Sequence, residues 1–146
     1  MAKSDSGANK KIMECLNRIF QKEMAGIHRY LHYSFMIMGY NRIPIQKWFR
    51  DKANENMIHA VQIGEKITAL GGHPSLGSAP IPETKSHLID DILKESLEFE
   101  RDALEDYLEL VKLAVDDIAL DEMARTFVYQ ETEHLEEVEK MLRKTK

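Results

Sequence analysis

Cysteine is nearly absent: Cys15 stands alone, so no intramolecular disulfide can form. Nothing near the N-terminus has the charged, then apolar, then small-residue order of a signal peptide, and a cytoplasmic, reducing setting is the expectation. No uninterrupted apolar run approaches the roughly 18 to 20 residues that span a bilayer, which argues against a membrane protein. A basic surplus is also missing. Lys and Arg number 20 against 25 Asp and Glu, a formal charge of -5, so there is no general electrostatic case for nucleic acid or anionic lipid. Lys3, Lys10 and Lys11 make only a slightly basic tail. Helix breakers are scarce as well: the four prolines and most of the seven glycines gather in a few places, leaving long stretches that read as helix.

With 146 residues, 43% of them hydrophobic, the chain suits one domain around one core. Residues 1–8, with Ser4, Asp5, Ser6 and Gly7, read as a disordered tail before a domain over 9–146. A first helix is expected from near Asn9 to Gly39, and a second from Pro44, a favoured first-turn residue, to the terminating pair Gly71-Gly72. Pro74, Pro80 and Pro82 make the stretch from Gly71 to about Lys85 a long irregular connection. A third helix is expected from about Thr84 to Ala114. A break at Asp116-Asp117 then admits a fourth, ending near Leu142. About 15 extended residues reach about 50 Å, and a helix of about 27 residues is about 40 Å long, so the second connection can cross a bundle end to end. The fold class that follows is all-α: four helices running up-down-down-up, with one long crossover between helices 2 and 3.

Apolar stripes at bundle spacing support this, as in Phe49, Ala53, Ala60, Ile63, Ile67 and Leu70, or Leu93, Leu97, Leu104, Tyr107 and Val111. Each stripe is interrupted near its middle. Glu23 follows Ile12, Leu16 and Ile19; Asn56 and His59 stand between Ala53 and Ile63; Glu100 lies between Leu97 and Leu104; Glu131 and His134 precede Val138. Antiparallel packing would bring these to one height. Three carboxylates and two imidazoles in a dry interior would resist ionisation unless a cation neutralised them. Oxygen-rich ligation with two histidines suits a pair of divalent iron or manganese ions better than structural zinc. Tyr30 and Tyr107 face the seam and can bond to the ligands.

Several motifs in order resemble the bacterioferritin branch of the ferritin-like superfamily over nearly all of residues 10–144. They are Glu23 with Tyr30, Asn-Met-Ile-His at 56–59 followed by Ala60, Gly-Gly-His-Pro-Ser-Leu at 71–76, Glu100 with Asp102, and Glu131-Thr-Glu-His134. The resemblance implies that Glu23, His59, Glu100, Glu131 and His134 are metal ligands of a ferroxidase centre, with Tyr30 the candidate catalytic residue beside them. It places Met57 where the family has a methionine that binds haem at a two-fold subunit interface, so a homo-oligomer built on two-fold dimers is implied. A plain apolar interface residue is the other reading of Met57, favoured by the eight methionines in the chain. His28, His32, His73 and His87 are expected at the surface.

Two departures stand out. The family has Glu-x-x-His on the second helix, and here the bridging position is Asn56, a neutral amide. Iron is then bound as a dinuclear or a mononuclear centre, the second ion weakly, with Glu55, four residues before His59, the candidate to compensate. The chain also stops twelve residues after His134, so no fifth helix is expected. The leading functional reading is oxidation of ferrous iron by dioxygen or peroxide, with storage or detoxification of the ferric product. The alternative is a degenerate relative with a structural or single-metal site and an assembly, haem- or partner-binding role. A third, a twelve-subunit DNA-protecting mini-ferritin, would fit the missing fifth helix but places its metal between subunits.

Overall fold

The computed structural model describes residues 6–144, and among them there are four helices and no strand. These are α1 (Ser6–Met36), α2 (Arg42–Ala69), α3 (Ile89–Leu113) and α4 (Ile118–Leu142). α1 starts three residues before the expected Asn9, so Ser6 to Ala8 of the expected tail are helical, and residues 1–5 lie outside the described residues.

α2 begins at Arg42, with Pro44 inside its first turn, where a missing N–H costs no hydrogen bond. It ends as the glycine pair requires: Gly71 takes φ +89°, its N–H reaches the Thr68 carbonyl at 3.0 Å, and the Gly72 N–H reaches Ile67 at 2.9 Å. Leu70 therefore caps the helix and is exposed, and the buried seam stops at Ile67. α3 starts five residues later than Thr84. Lys85 has φ +62°, the Thr84 N–H goes to Glu95 at 2.9 Å, and Ser86 Oγ accepts the Leu88 N–H at 3.1 Å, so this turn uses up the groups a helix would need. Asp117 caps α4, its carboxylate accepting from the Leu120 N–H at 3.0 Å.

Contacts along the bundle set direction. Arg18 meets Asp106 and Glu109, Arg29 meets Glu100, and Tyr33 meets Glu95, so α3 runs antiparallel to α1. α2 folds back along α1, and α4 folds back along α3, giving up-down-down-up. The crossover climbs beside α1. Asn17 and Gln21 hold Ser75 at 2.8 Å, the Ala79 N–H donates to the Gln21 carbonyl at 3.1 Å, His32 pairs with Glu83, and His87 Nδ1 donates to the Met36 carbonyl at 2.7 Å. From residue 17 to residue 36 the helix rises about 28 Å, which the chain spans without regular structure.

The apolar core is divided in two. One cluster packs Leu16, Ile19, Ile63, Ile67, Leu110 and Phe127 with their neighbours; the other packs Tyr30, Phe49, Ile92, Leu93, Leu135 and Val138. Between them lies a belt of polar side chains from all four helices, buried on α1, α3 and α4 and partly buried on α2.

Candidate metal centre

The belt is built by helical spacing. Glu131 and His134, three residues apart, lie on one face of α4 and aim into the bundle from adjacent turns. Glu100 comes from α3 and Glu23 from α1, while Asn56 and His59 come from α2. Glu23, Glu100, Glu131 and His134 are all buried. His134 Nδ1 lies 3.6 Å from Glu131 Oε1 and 3.9 Å from Glu100 Oε2, and one donor atom from each of these three residues can be chosen with all of them within 4.8 Å of one another. His59 Nδ1 faces Glu23 Oε2 at 3.6 Å, and its Nε2 lies 3.1 Å from Gln130 Oε1. The carboxamide oxygen accepts only, which places the proton on Nε2 and leaves Nδ1 free toward Glu23.

Hydrogen bonds position the carboxylates from behind. Tyr30 and Arg29 both donate to Glu100 Oε1, Arg29 at 2.9 Å, which leaves Oε2 turned to His134. Tyr30 also bonds Ser96 Oγ at 3.1 Å, and Tyr107 donates to Glu23 Oε1. Among the candidate ligands the open atoms are Glu23 Oε2, Glu131 Oε1 and His134 Nε2, all buried without a hydrogen-bond partner, as is Arg29 Nε behind them. Unpartnered buried acceptors are costly, and a cation would satisfy the two carboxylate oxygens. The donor set therefore fits a metal ion.

Charge in this belt is unevenly held. Burial and the negative Glu100 beside it push the Glu131 carboxyl well above its ordinary range, and burial raises Glu23 against the opposing pull of His59. Burial also acts on Glu100, but the proton kept by Glu131, together with His134, Arg29 and Tyr30, outweighs it and holds Glu100 down at about 2. The pair thus holds one proton between its two carboxyls, with Glu100 the more acidic. Burial lowers His134, whereas the facing Glu23 raises His59 in spite of burial.

Of the sequence candidates, Glu23, His59, Glu100, Glu131 and His134 share this level of the bundle. Asn56 joins them at the α1 side, its amide packed against Gly26 so closely that a Cβ on that glycine would lie 1.8 Å from Nδ2. Glu55 is exposed and pairs with Lys52 at 3.1 Å, outside the belt but on a groove between α2 and α4 of about 350 Å³ that reaches His59, Glu131 and His134. Met57 is half exposed on α2, away from the belt, beside a shallow cavity with Phe20, Met24 and Val61. His28, His73 and His87 are exposed and His32 is partly so.

Arg29 escaped the sequence reading. It is 5% exposed, stacked over Phe99 at 4.5 Å and Tyr30 at 5.0 Å, and bound to Glu100. The available signal was its place in the stripe Ala25, Arg29, Tyr33, four residues from a buried neighbour on each side. It lines a second cavity, of about 160 Å³, with Glu23, Asn56, Glu100, Glu131 and Pro80 of the crossover.

Two antiparallel helix pairs with a carboxylate and histidine belt at mid-height define a four-helix carboxylate bundle. The ferritin-like domain model matches residues 13–146, and the chain belongs to that family. Among solved structures it is similar to ferritin-like, diiron-carboxylate proteins from Bacillus anthracis, with 23% identity over 95% of this chain and 100% of that one, at TM-score 0.90. A bacterioferritin from Rhodobacter capsulatus, with a metal-free dinuclear site and haem iron, shares 25% identity over 96% and 86% of the two chains, at TM-score 0.85. A dodecameric thioferritin from Bacteroides fragilis shares 22% over 92% and 85%, at TM-score 0.82. No curated protein matches the chain in sequence. No helix among the described residues is long and apolar enough to cross a membrane.

Proposed function

We propose that this chain takes up ferrous iron in the polar belt and oxidises it with dioxygen or peroxide, passing ferric iron on for storage or detoxification. The observation that carries this reading is the buried cluster of Glu100, Glu131 and His134, with donor atoms within 4.8 Å and a carboxylate oxygen lacking any partner. Hard oxygen donors with imidazole suit ferrous iron, and their ionised form stabilises the ferric product more strongly still. Each iron gives up one electron, so two ferrous ions and two protons convert one hydrogen peroxide to two waters, and four ferrous ions and four protons convert one dioxygen to two waters. The α2–α4 groove is rimmed by Glu55, Glu133 and Glu137 against the cation Lys52, which pairs with Glu55, so the approach to Glu131 and His134 is negative on balance. Tyr30 holds Glu100 in its ligating orientation.

The dodecameric thioferritin this chain resembles supports a homo-oligomer, and the exposed face of Met24, Met57 and Val61 is the surface we assign to a two-fold contact; haem at Met57 would require that contact. Stopped-flow oxidation of ferrous iron by the native protein and by Glu131→Ala tests the function. The variant should lose most of the rate, and equal rates would remove the reading.

A further inference from the structure

A bundle with four buried carboxylates carries four negative charges and is neutralised by two divalent ions. This belt has three carboxylates, because Asn56 is neutral, and it has a built-in cation. Arg29 is nine-tenths buried and donates to Glu100 at 2.9 Å, and a guanidinium keeps its charge at any physiological pH. With the carboxylates ionised, as they are when an ion is bound, the belt carries a charge of about -2.

The donors are divided in the same way. On one side Glu100, Glu131 and His134 form a three-residue cluster, with the unpartnered Glu131 Oε1 as an open acceptor. On the other, Glu23 and His59 face each other at 3.6 Å with Glu23 Oε2 also unpartnered, but only these two residues offer a charged or imidazole donor, the third being the neutral Asn56 amide against Gly26. Glu100 cannot serve both sides, because Arg29 and Tyr30 occupy its Oε1.

We propose that Arg29 takes the electrostatic place of one of the two ions, so that the centre is matched to a single divalent cation seated on Glu100, Glu131 and His134. This rests on the reading that the belt binds a divalent ion at all. A second ion would enter a neutral site beside a fixed cation. A unit charge about 5 Å from a divalent ion, at an effective dielectric near 20, changes affinity on the order of 10,000-fold or more, so the second ion should bind at least about 100-fold more weakly than the first even if screening removes half of that effect.

Anaerobic titration of the full chain with cobalt(II), read by calorimetry and by the cobalt ligand-field absorption, tests this without any turnover. The native protein and Arg29→Lys, which keeps the charge, should saturate at one equivalent per chain. Glu131→Ala should lose that equivalent. The double variant Arg29→Gln with Asn56→Glu restores four negative charges and should take two. Two equivalents of similar affinity in the native protein would overturn the inference while leaving iron binding intact, and so would a folded double variant that stays at one. Absence of any binding would overturn both this and the iron reading. The native titration decides the count even if the double variant does not fold.

Discussion

Replacing Arg29 with methionine keeps much of the packing against Phe99 and Tyr30 but leaves Glu100 buried without its cation. Removing one partner of a buried ion pair costs about 3 to 5 kcal/mol, unless the stranded group can neutralise itself. Glu100 can do so by taking a proton. From an ordinary value of 4.5, protonation near pH 7 costs about 3.4 kcal/mol at 1.36 kcal/mol per unit, and about 1.4 kcal/mol at about pH 5.5. The metal-free variant should therefore lose about 3 kcal/mol relative to the native protein near pH 7, a fall of roughly 6 to 12 °C in Tm for a chain of this size. The deficit should shrink by about 2 kcal/mol at about pH 5.5. Guanidinium denaturation followed by far-UV circular dichroism at both pH values measures it. A loss below about 0.5 kcal/mol near pH 7, or the same loss at both, would refute the view that Arg29, beside Glu131 and His134, helps to hold Glu100 ionised.

Gly26→Ala should gain about 1 kcal/mol of helix propensity in an Asn56→Ala background and lose that gain in the native one, because the new Cβ would meet the Asn56 amide; a denaturation double-mutant cycle with no coupling would dismiss the contact. Tyr107→Phe strips Glu23 Oε1 of its donor, and about 1 to 3 kcal/mol of metal-free stability should go with it, an unchanged unfolding midpoint being the contrary result. Glu131 and Glu23 have raised values, so the folded metal-free chain binds more protons than the unfolded one above 4.5. Its stability contribution from these groups should fall as pH rises above about 4.5, where the unfolded carboxylates ionise. Saturating divalent ion should abolish that fall, since the ligands are then ionised in the complex; a metal-free profile that rises through this window would contradict it.

Much of this molecule is local in origin and is therefore legible along the chain. The three-and-four spacing of apolar residues, the glycine pair at 71 and 72, and Asp117 ahead of α4 act within one or two turns, so helices, turns and the long crossover can be read in order. The interruptions at Glu23, His59, Glu100, Glu131 and His134 are visible for the same reason, because a charged residue inside a buried stripe breaks a short-range pattern. The start of α3 was misplaced, since hydroxyl and carboxylate side chains at Thr84, Ser86 and Glu95 captured the backbone groups of that turn. Tertiary structure alone decided how the charge of the belt is balanced. Arg29 and Glu100 are 71 residues apart, and so are His59 and Gln130, while Gly26 and Asn56 lie on different helices. Such pairs have no periodicity to betray them. They exist only because packing removes water from both partners at once, which turns an ordinary surface arginine into a fixed cation at the centre of the bundle.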